Sequence, residues 1–254
     1  MHYVRFRDPD GNLRQGKIQN SNTIVAYPTQ TGTFTITPET FSVDNVSILP
    51  PCSPSKIVCI GLNYADHAAE QDSEVPDRPL LFLKGPNTIA GHTDQLTLPS
   101  GKSRIDYEAE LGVVIGSRAR HIDRESAASV IAGYTCVNDI SNRDDQQIET
   151  NWVRGKAFDN SAPIGPVIAT PDEVDEDTSI QCRVNDELVQ NSDCGKLIFS
   201  IPELIKEITT YLTLEPGDII STGTPEGVGP LNDGDTVEVE VEGVGTLRNT
   251  IRIP

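Results

Sequence analysis

Residues 107–116 read Tyr-Glu-Ala-Glu-Leu-Gly-Val-Val-Ile-Gly, an acidic pair that runs directly into an apolar segment. The pattern predicts a strand over residues 107–115, in which Glu108 and Glu110 point to the same face because side chains alternate along a strand. The apolar half predicts that this strand enters the core. Two like charges at the edge of a core repel each other and are costly to bury. Two interpretations follow: a bound cation that compensates both, or a solvated edge strand with outward-facing acids.

A third carboxylate, Asp139, comes after another predicted strand, residues 133–137. Taken alone, an Asp in this position beside Asn138 is typical of a helix N-cap or a turn. Three carboxylates without paired Cys or His residues would suit a hard cation, with Mg²⁺ first, Mn²⁺ second and Ca²⁺ third. We therefore predict a divalent-cation site made by Glu108, Glu110 and Asp139.

A second pair of candidate residues lies in a predicted helix over residues 64–71. His67 and Glu70 are three residues apart and are therefore neighbours on one helix face. A carboxylate beside an imidazole fixes its tautomer and raises its basicity, which makes His67 a candidate general base for activating water. The alternative is an ordinary surface pair. The polar, Pro-containing residues 72–79 that follow are predicted to form a lid.

Cationic and polar side chains follow Asp139 at Arg143, Gln146 and Lys156. Most such residues are simply solvated, but Lys156 lies where the chain becomes apolar, and a cation there could bind a substrate carboxylate or enolate. The Gly-rich residues 223–229 lack the Lys-Ser/Thr pair of a phosphate-binding loop, which argues against a nucleotide site. Thr224 and the nearby amides could still bind an anionic substrate.

Composition limits the classes of protein to which this chain can belong. Its 254 residues carry a formal net charge of -18, which argues against nucleic acid or an anionic membrane as a partner. No apolar run approaches the roughly 20 residues of a membrane span. Five cysteines, without a Cys-x-x-Cys motif, favour reduced thiols in a cytoplasmic protein. The dispersed acidic charge is also typical of proteins adapted to high salt.

The order of predicted elements indicates a mixed, mainly β fold with a few helices. Residues 1–52 are predicted to form a small β-rich N-terminal unit with strands over 3–7, 17–27 and 33–37, and the Pro-rich residues 49–54 a linker. The main unit, 55–254, combines many strands with helices over 126–131 and 201–212. Because strands and helices do not alternate steadily, a doubly wound sheet and a (β/α)₈ barrel are disfavoured.

Eight segments, in this order, resemble the fumarylacetoacetate hydrolase superfamily, over roughly residues 55–254. They are residues 61–64 (Gly-Leu-Asn-Tyr) with His67 and Glu70, 82–84 (Phe-Leu-Lys), 106–111 (Asp-Tyr-Glu-Ala-Glu-Leu), 138–139 (Asn-Asp) with Arg143 and Gln146, 154–159 (Arg-Gly-Lys-Ala-Phe-Asp), 163–166 (Pro-Ile-Gly-Pro), 185–190, and 222–229 (Thr-Gly-Thr-Pro-Glu-Gly-Val-Gly).

The resemblance implies a layered and rolled β-sheet catalytic domain, often behind a small β-rich N-terminal unit, and usually a homodimer. It implies metal ligation by Glu108, Glu110 and Asp139. It also implies catalytic roles for His67 and Glu70 on a closing lid and for Lys156. Substrate contacts are implied at Gln146, Thr224, Arg143 and Lys84.

Family substrates are small 2-oxo acids or their enols, which the cation would bind through the oxo and carboxylate oxygens. The resemblance favours a Mg²⁺-dependent hydrolase that cleaves a C–C bond in an acylpyruvate-type 2,4-dioxo acid, with His67 and Glu70 activating water. The alternatives are a 2-hydroxyhepta-2,4-diene-1,7-dioate isomerase of aromatic catabolism, an oxaloacetate decarboxylase and a sugar-acid dehydratase. A metal-stabilised binding module is the non-enzyme alternative.

Overall fold

Strands make up most of the regular structure. The computed structural model describes residues 1–27, 38–70 and 74–254, together with the backbone of residues 30–31 and 34–35. The strands are β1 (His2–Arg7), β2 (Leu13–Asn20), β3 (Thr23–Ala26), β4 (Gln30–Thr31), β5 (Phe34–Thr35), β6 (Thr40–Ser42), β7 (Ser47–Ile48), β8 (Ile57–Gly61), β9 (Leu80–Lys84), β10 (Ile89–Ala90), β11 (Gln95–Thr97), β12 (Ile105–Tyr107), β13 (Ala109–Ile115), β14 (Ile131–Asn138), β15 (Ser141–Asn142), β16 (Ala162–Ala169), β17 (Ser179–Val184), β18 (Glu187–Asp193), β19 (Ile219–Ser221), β20 (Gly229–Pro230), β21 (Thr236–Val241) and β22 (Gly245–Arg252).

Helices are short and few beside these strands. The α-helices are α1 (Ala65–Glu70), α2 (Arg143–Gln146), α3 (Val153–Lys156) and α4 (Ile201–Tyr211), and 3₁₀ helices span Val43–Asn45, Pro86–Thr88, Arg124–Val130, Pro171–Glu173 and Cys194–Lys196. The mixed, mainly β fold class predicted from the sequence is confirmed.

Several sheets pack in layers around the apolar strand β13. Within the described residues, the largest sheet has the order β6-β3-β2-β1-β16-β14-β13-β19-β8-β9. In addition, β7 pairs with β1 and β10 pairs with β16. A second sheet has the order β11-β22-β21-β17-β18, and a third the order β15-β12-β20. Along β13, the side chains of Leu111 and Val113 share one face and join the core clusters to which the second sheet and α4 contribute. Val114, on the opposite face, joins a smaller cluster with Ile57 and Ile164.

The strand predicted over residues 107–115 is divided at Glu108. β12 pairs with β15 and β20, whereas β13 pairs with β14 and β19, so the chain passes from one sheet to another at this residue. The change of pairing partners explains why one sequence pattern gives two strands. It leaves Glu108 at the junction, beside the first residues of β13.

Helix α4 forms where the sequence predicts it. Ser200 and Glu203 form a capping box at its start, and Pro202 lies in its first turn, where a missing N–H costs nothing. Leu204, Ile205 and Ile208 are fully buried on one face. The helix predicted over residues 126–131 is a 3₁₀ helix, Arg124–Val130, and it ends there because Ile131 already pairs with Ile115 in the sheet.

The N-terminal strands continue the largest sheet. β1 pairs with β16, with His2 opposite Ala169. The strand predicted over residues 17–27 is a hairpin, because a polar turn at residues 20–22 separates β2 from β3. Most of the strand predicted over 33–37 lies outside the described residues. The Pro-rich residues 49–54 form no helix or strand, and the division of the chain into 1–52 and 55–254 stays a prediction.

The described helices are all too short to cross a membrane, the longest being α4 with eleven residues.

Candidate active site

A cavity of about 610 Å³ opens beside the N-terminal end of β13. It brings together residues from five separate parts of the chain, each of which sequence analysis had singled out. Of the ten predicted site residues, nine line it: His67, Glu70, Glu108, Glu110, Asp139, Arg143, Gln146, Lys156 and Thr224.

The three carboxylates form the floor of this cavity. Glu108, Glu110 and Asp139 are buried, and each offers a carboxylate oxygen within 4.8 Å of the others. Backbone contacts fix the group: Glu108 N donates to the side chain of Asn138 at 2.9 Å, and Asp139 N donates to Glu108 O at 2.9 Å. The end of β14 is therefore joined to the break between β12 and β13, which places Asp139 opposite the acidic pair.

Two cations compensate Glu108. Lys156 Nζ lies 2.7 Å from Glu108 Oε2 and 2.7 Å from Asp139 Oδ2, and Arg143 donates to Glu108 Oε1 at 2.5 Å. Burial alone would raise the pKa of Glu108, but Lys156 and Arg143 outweigh it and lower that pKa far below its ordinary value. Burial likewise opposes the charge of Lys156, while Asp139 and Glu108 raise its pKa. Both groups are therefore held in their charged forms.

Glu110 has a different environment. Its Oε2 accepts hydrogen bonds from Ser221 Oγ at 2.5 Å and from Gly223 N at 2.9 Å. Within residues 1–27, 38–70 and 74–254, no Lys or Arg forms an ion pair with it. Burial, together with the charges of Asp139 and Glu108, raises the pKa of Glu110 to about 8. A buried carboxylate without a cationic partner, beside two others, fits a divalent-cation site built from hard oxygen donors.

Lys84 is the predicted site residue that the structure does not bring to the cavity wall. Its side chain is fully buried behind Asp139, with Nζ 2.5 Å from Asp139 Oδ1, and it donates to the carbonyl oxygens of Ile140 at 3.1 Å and Ser161 at 2.6 Å. Burial lowers its pKa more than Asp139 raises it. Lys84 is placed to hold Asp139, and its contact with substrate stays a prediction.

The His–Glu pair lies on α1 at another wall of the cavity. The predicted three-residue spacing brings Glu70 Oε2 within 3.1 Å of His67 Nδ1, and His67 is 5% exposed. Glu70 Oε1 accepts from Gly227 N at 3.1 Å, which ties this short helix to the loop after β19. Gly227 has φ +92°, and a Cβ there would lie 2.3 Å from Val189 O, so glycine is required at this contact. Gln71, the last residue of the predicted helix, lies outside the described residues.

Arg143 is fully engaged with protein groups. Besides Glu108, it donates from Nε to Asp106 at 2.8 Å and from Nη1 to Gln146 Oε1 at 2.8 Å. Because Glu108 and Asp106 outweigh the effect of burial, the pKa of Arg143 is raised. This residue links the acidic floor to Gln146 on the cavity wall.

The Gly-rich loop turns some of its amides toward the protein's own carboxylates. Gly223 N and Gly227 N donate to Glu110 and Glu70, respectively. Thr224 Oγ1 accepts from Gln190 Nε2 at 2.9 Å, and Gln190 Oε1 accepts from the backbone N–H of Ala109 at 3.0 Å. Gln190 therefore connects the loop to the residue between Glu108 and Glu110.

No role was predicted from the sequence for Arg104, Asp106 and Trp152, which also belong to the site. Asp106, fully buried, accepts from Arg143 and from Arg104, and Arg104 lines the cavity. Trp152, another lining residue, has φ +57° and packs edge-on against Phe82 at 5.5 Å. The single Trp in the chain was an available signal, whereas the pairing around Asp106 depends on contacts that spacing does not encode.

Comparison with known proteins identifies the family to which this arrangement belongs. The profile described as fumarylacetoacetate (FAA) hydrolase C-terminal matches residues 56–252. An oxaloacetate tautomerase of Xenopus laevis is 39% identical over 222 residues, which cover 83% of this chain and 70% of that protein.

Solved structures that are similar to this chain over its whole length include two named enzymes. The 5-carboxymethyl-2-hydroxymuconate delta-isomerase of Mycobacterium smegmatis is 36% identical with a TM-score of 0.89, covering 100% of this chain and 99% of that one. The maleylpyruvate hydrolase of Sphingobium sp. SYK-6, in complex with manganese(II) and pyruvate, is 28% identical with a TM-score of 0.83 over 100% and 99% of the chains. These relatives are named enzymes, and this chain is an enzyme that belongs to the fumarylacetoacetate hydrolase family.

Proposed function

We propose that this protein is a Mg²⁺-dependent hydrolase that cleaves a C–C bond in a small 2,4-dioxo acid of the acylpyruvate type. The observation that carries the proposal is one cavity that combines three clustered carboxylates with a His–Glu pair. The three carboxylates suit a cation that binds the 2-oxo acid end of the substrate. The His–Glu pair suits the activation of water.

Glu108, Glu110 and Asp139 would hold the cation, with Mn²⁺ or Ca²⁺ as alternatives to Mg²⁺. When bound, it supplies Lewis acidity at the 2-oxo end of the substrate. The manganese and pyruvate in the Sphingobium maleylpyruvate hydrolase support this reading of the acidic floor.

The His–Glu pair would generate the nucleophile. Glu70 orients His67 through Nδ1, which places the basic lone pair on Nε2. His67 would take a proton from water while the oxygen attacks the distal carbonyl carbon of the substrate. The C–C bond then breaks, its electron pair passes to the pyruvate fragment as an enolate, and the proton that His67 took from water is returned to that fragment and converts it to pyruvate. The acyl group leaves as a carboxylic acid.

Cationic and polar side chains would hold the anionic parts of the substrate. Lys156 lies beside Glu108 and Asp139, where enolate charge develops, and a fixed ammonium group stabilises such charge in a site with little water. Gln146 and Thr224 line the same cavity and offer neutral hydrogen-bonding groups. Arg143 supports Gln146 and so acts on the substrate mainly through it.

Isomerisation or tautomerisation of a 2-oxo acid is the second candidate, because the Mycobacterium and Xenopus relatives bear those names. The same residues could move a proton along a dienol without attack by water. The two candidates differ in product: hydrolysis consumes water and gives two acids, whereas isomerisation conserves the carbon skeleton.

A panel of 2-oxo acids tests the proposal. Purified protein would be incubated with acylpyruvates, oxaloacetate and hydroxydienoates, with Mg²⁺ or with a chelator, and the products would be followed by NMR. We expect Mg²⁺-dependent release of pyruvate from acylpyruvates and its loss in His67→Ala. Undiminished acylpyruvate cleavage by His67→Ala would overturn the role of the pair. A loaded protein that converts none of these acids would support a binding module.

Assembly and location are proposed with the activity. The resemblance supports a homodimer, the net charge of -18 supports a protein without nucleic-acid or membrane partners, and cysteine usage supports the cytoplasm. The partner that we propose is a small anionic 2-oxo acid.

A further inference from the structure

Gln190 on β18 is a buried amide whose two ends are fixed by backbone groups. Its Oε1 accepts from the backbone N–H of Ala109 at 3.0 Å, and its Nε2 donates to the carbonyl oxygen of Pro225 at 2.9 Å. If the amide were turned over, its NH₂ group would face the N–H of Ala109 and its oxygen would face the carbonyl of Pro225. Donor would then meet donor and acceptor would meet acceptor, so only one orientation of Gln190 is compatible with its surroundings.

The second N–H of this amide fixes the role of the Thr224 hydroxyl. Gln190 Nε2 also donates to Thr224 Oγ1 at 2.9 Å, so the hydroxyl oxygen is an acceptor in this contact. A hydroxyl group carries one proton and can still donate it once. In the part of the chain that the structure describes, no protein group accepts this proton, although Thr224 is only 3% exposed and lines the active-site cavity. The proton is therefore available to a ligand in the cavity.

The contact with Gln190 restricts what Thr224 can bind. A hydroxyl without such a contact can turn either its oxygen or its proton toward a ligand, and so it pairs with donors and acceptors alike. Turning the proton of Thr224 toward Gln190 Nε2 would bring two donors together. Thr224 is thus prepared to donate into the cavity, and a ligand oxygen can accept its proton without displacing a protein acceptor. Such preorganisation lowers the cost of binding, and a hydrogen bond to a charged oxygen is stronger than one between neutral groups.

We propose that Gln190 is a positioning residue for substrate binding, which holds Thr224 as a hydrogen-bond donor toward an anionic oxygen of the 2-oxo acid. Gln190 is 1% exposed and does not line the cavity, so it acts on the substrate through Thr224. The inference deepens the proposed function and rests on it for the presence of a 2-oxo acid in this cavity.

The variant Gln190→Glu tests the direction of this hydrogen bond with little change of shape. Its carboxylate can still accept from Ala109 N, but the second oxygen replaces the NH₂ group and attracts the proton of Thr224. We expect the affinity of the Mg²⁺-loaded protein for pyruvate, measured by calorimetry, to fall by about 10- to 100-fold, the contribution of a hydrogen bond to a charged group. In acylpyruvate cleavage the loss should appear more in KM than in kcat.

A double-mutant cycle separates this role from charge repulsion and from a structural role. Thr224→Val removes the hydroxyl and should weaken pyruvate binding by a similar factor, whereas Thr224→Ser should retain most of the affinity. In the Thr224→Val background, Gln190→Glu should weaken pyruvate binding by less than about twofold, because the group through which Gln190 acts is gone. An equal loss in both backgrounds would show that Gln190 acts through its charge or through the backbone at Ala109, and it would overturn the proposal.

A second variant keeps the test decisive if the buried carboxylate of Gln190→Glu prevents folding. Gln190→Met removes the amide without adding charge, leaves the hydroxyl of Thr224 free to turn, and should weaken pyruvate binding only while Thr224 is present. Gln181→Glu on the neighbouring strand β17 is the matched control. Gln181 Nε2 donates to Asn191 at 3.0 Å, away from the cavity, so this variant should leave pyruvate affinity unchanged. Wild-type pyruvate affinity in a folded Gln190 variant overturns the inference.

Pyruvate binding also distinguishes a failure of this inference from a failure of the proposed function, because it requires no turnover. If pyruvate binding follows the double-mutant cycle but no acylpyruvate is cleaved, only the hydrolase proposal fails. If the wild type cleaves acylpyruvates while Gln190→Glu changes neither KM nor pyruvate affinity, only the role of Gln190 fails. A Mg²⁺-loaded wild type that binds no pyruvate would overturn both.

Discussion

The floor of the cavity and its rim are built differently. At the floor, Glu108, Asp139 and Lys156 are at most 5% exposed and are held by short contacts to one another and to Asn138 at the end of β14. At the rim, Glu70 is one-third exposed on a helix of six residues, and Arg104 is half exposed and held through one nitrogen. Rigidly held groups suit the binding of the cation and of the 2-oxo acid end that all substrates share. More loosely held groups suit the catalytic step and the selection of one substrate over another.

This contrast gives each region its own expected phenotype. Changes at the floor should affect cation binding, and with it every activity of the protein. Changes at the rim should affect the reaction or the choice of substrate while the cation stays bound. If the two regions are separable, a variant in one region should leave the property of the other unchanged.

The largest effect is expected from loss of the floor. Asp139→Ala removes one of three carboxylates and leaves Lys84 and Lys156 without this partner. We expect Mg²⁺ affinity to collapse and kcat/KM to fall by about a thousandfold or more, since Lewis-acid stabilisation contributes several kcal/mol. Calorimetric Mg²⁺ titration and steady-state kinetics would measure both. Asp123→Ala, an exposed residue without a side-chain cap bond, is the control.

A smaller loss, confined to chemistry, is expected at the rim. His67→Ala removes the group proposed to take a proton from water, and general-base catalysis contributes about 10²–10⁴-fold. We expect kcat to fall within that range while Mg²⁺ affinity changes less than twofold. Glu70→Gln should retain the hydrogen bond from Gly227 N, and its kcat should fall less than that of His67→Ala. If His67→Ala weakened Mg²⁺ binding as strongly as Asp139→Ala, the separation between rim and floor would be refuted.

Cation binding at the floor should also depend on pH, because burial and the neighbouring carboxylates raise the pKa of Glu110 to about 8. The cation needs the deprotonated carboxylate, so a proton competes with it below that pH. We expect Mg²⁺ affinity to rise about tenfold per pH unit up to pH 8 and then to level off. Calorimetry in two buffers of different ionisation enthalpy should detect one proton released per cation at pH 6.5.

The same shift has a consequence for folding without the cation. The folded-state pKa of Glu110 lies above its ordinary value of 4.5, so the folded protein binds this proton more tightly than the unfolded chain does. Its contribution to stability is therefore complete below about pH 4.5 and is lost as pH rises toward 8. The difference in melting temperature with and without Mg²⁺ should grow over this range, and a constant difference would contradict the assignment.

Local patterns predicted the floor better than the rim. The two-residue spacing of Glu108 and Glu110 and the apolar run behind them indicated one shared face, and the structure places both on one cavity. The break between β12 and β13 was not predictable, because it depends on pairing with β15 and β20, which lie far away in sequence. Lys84 shows the same limit: its burial follows from contacts with the carbonyl groups of Ile140 and Ser161.

Rim residues depend almost entirely on long-range contacts. Arg104 and Asp106 look like ordinary polar residues at the start of a strand until Arg143 packs beside them. The His67–Glu70 pair was predictable because both residues lie on one short helix. Its attachment to Gly227, 157 residues later, was not. Apart from the meeting of Asp139 with Glu108 and Glu110, sequence patterns therefore encoded contacts within an element and left out those between elements.

The smallest effect is expected where wall and floor meet, at Gly155 on α3. A Cβ at this position would lie 2.8 Å from the backbone and Cβ of Gln146, so α2 and α3 approach closely only because residue 155 is glycine. Gly155→Ala should push α2 away from α3 and lower the free energy of unfolding by about 1–3 kcal/mol. Gly155→Ser, with a larger side chain, should be worse.

The kinetic consequence of this change distinguishes the cavity wall, where Gln146 lies, from the floor. Gln146 belongs to α2 at the wall, whereas Lys156 is anchored to the floor by Glu108 and Asp139. A displacement of α2 should therefore raise KM severalfold while Mg²⁺ affinity stays the same, provided that kinetics are measured below the lowered melting temperature. A parallel loss of Mg²⁺ affinity would show that α3 moves instead, carrying Lys156 with it, and that wall and floor form one mechanical unit.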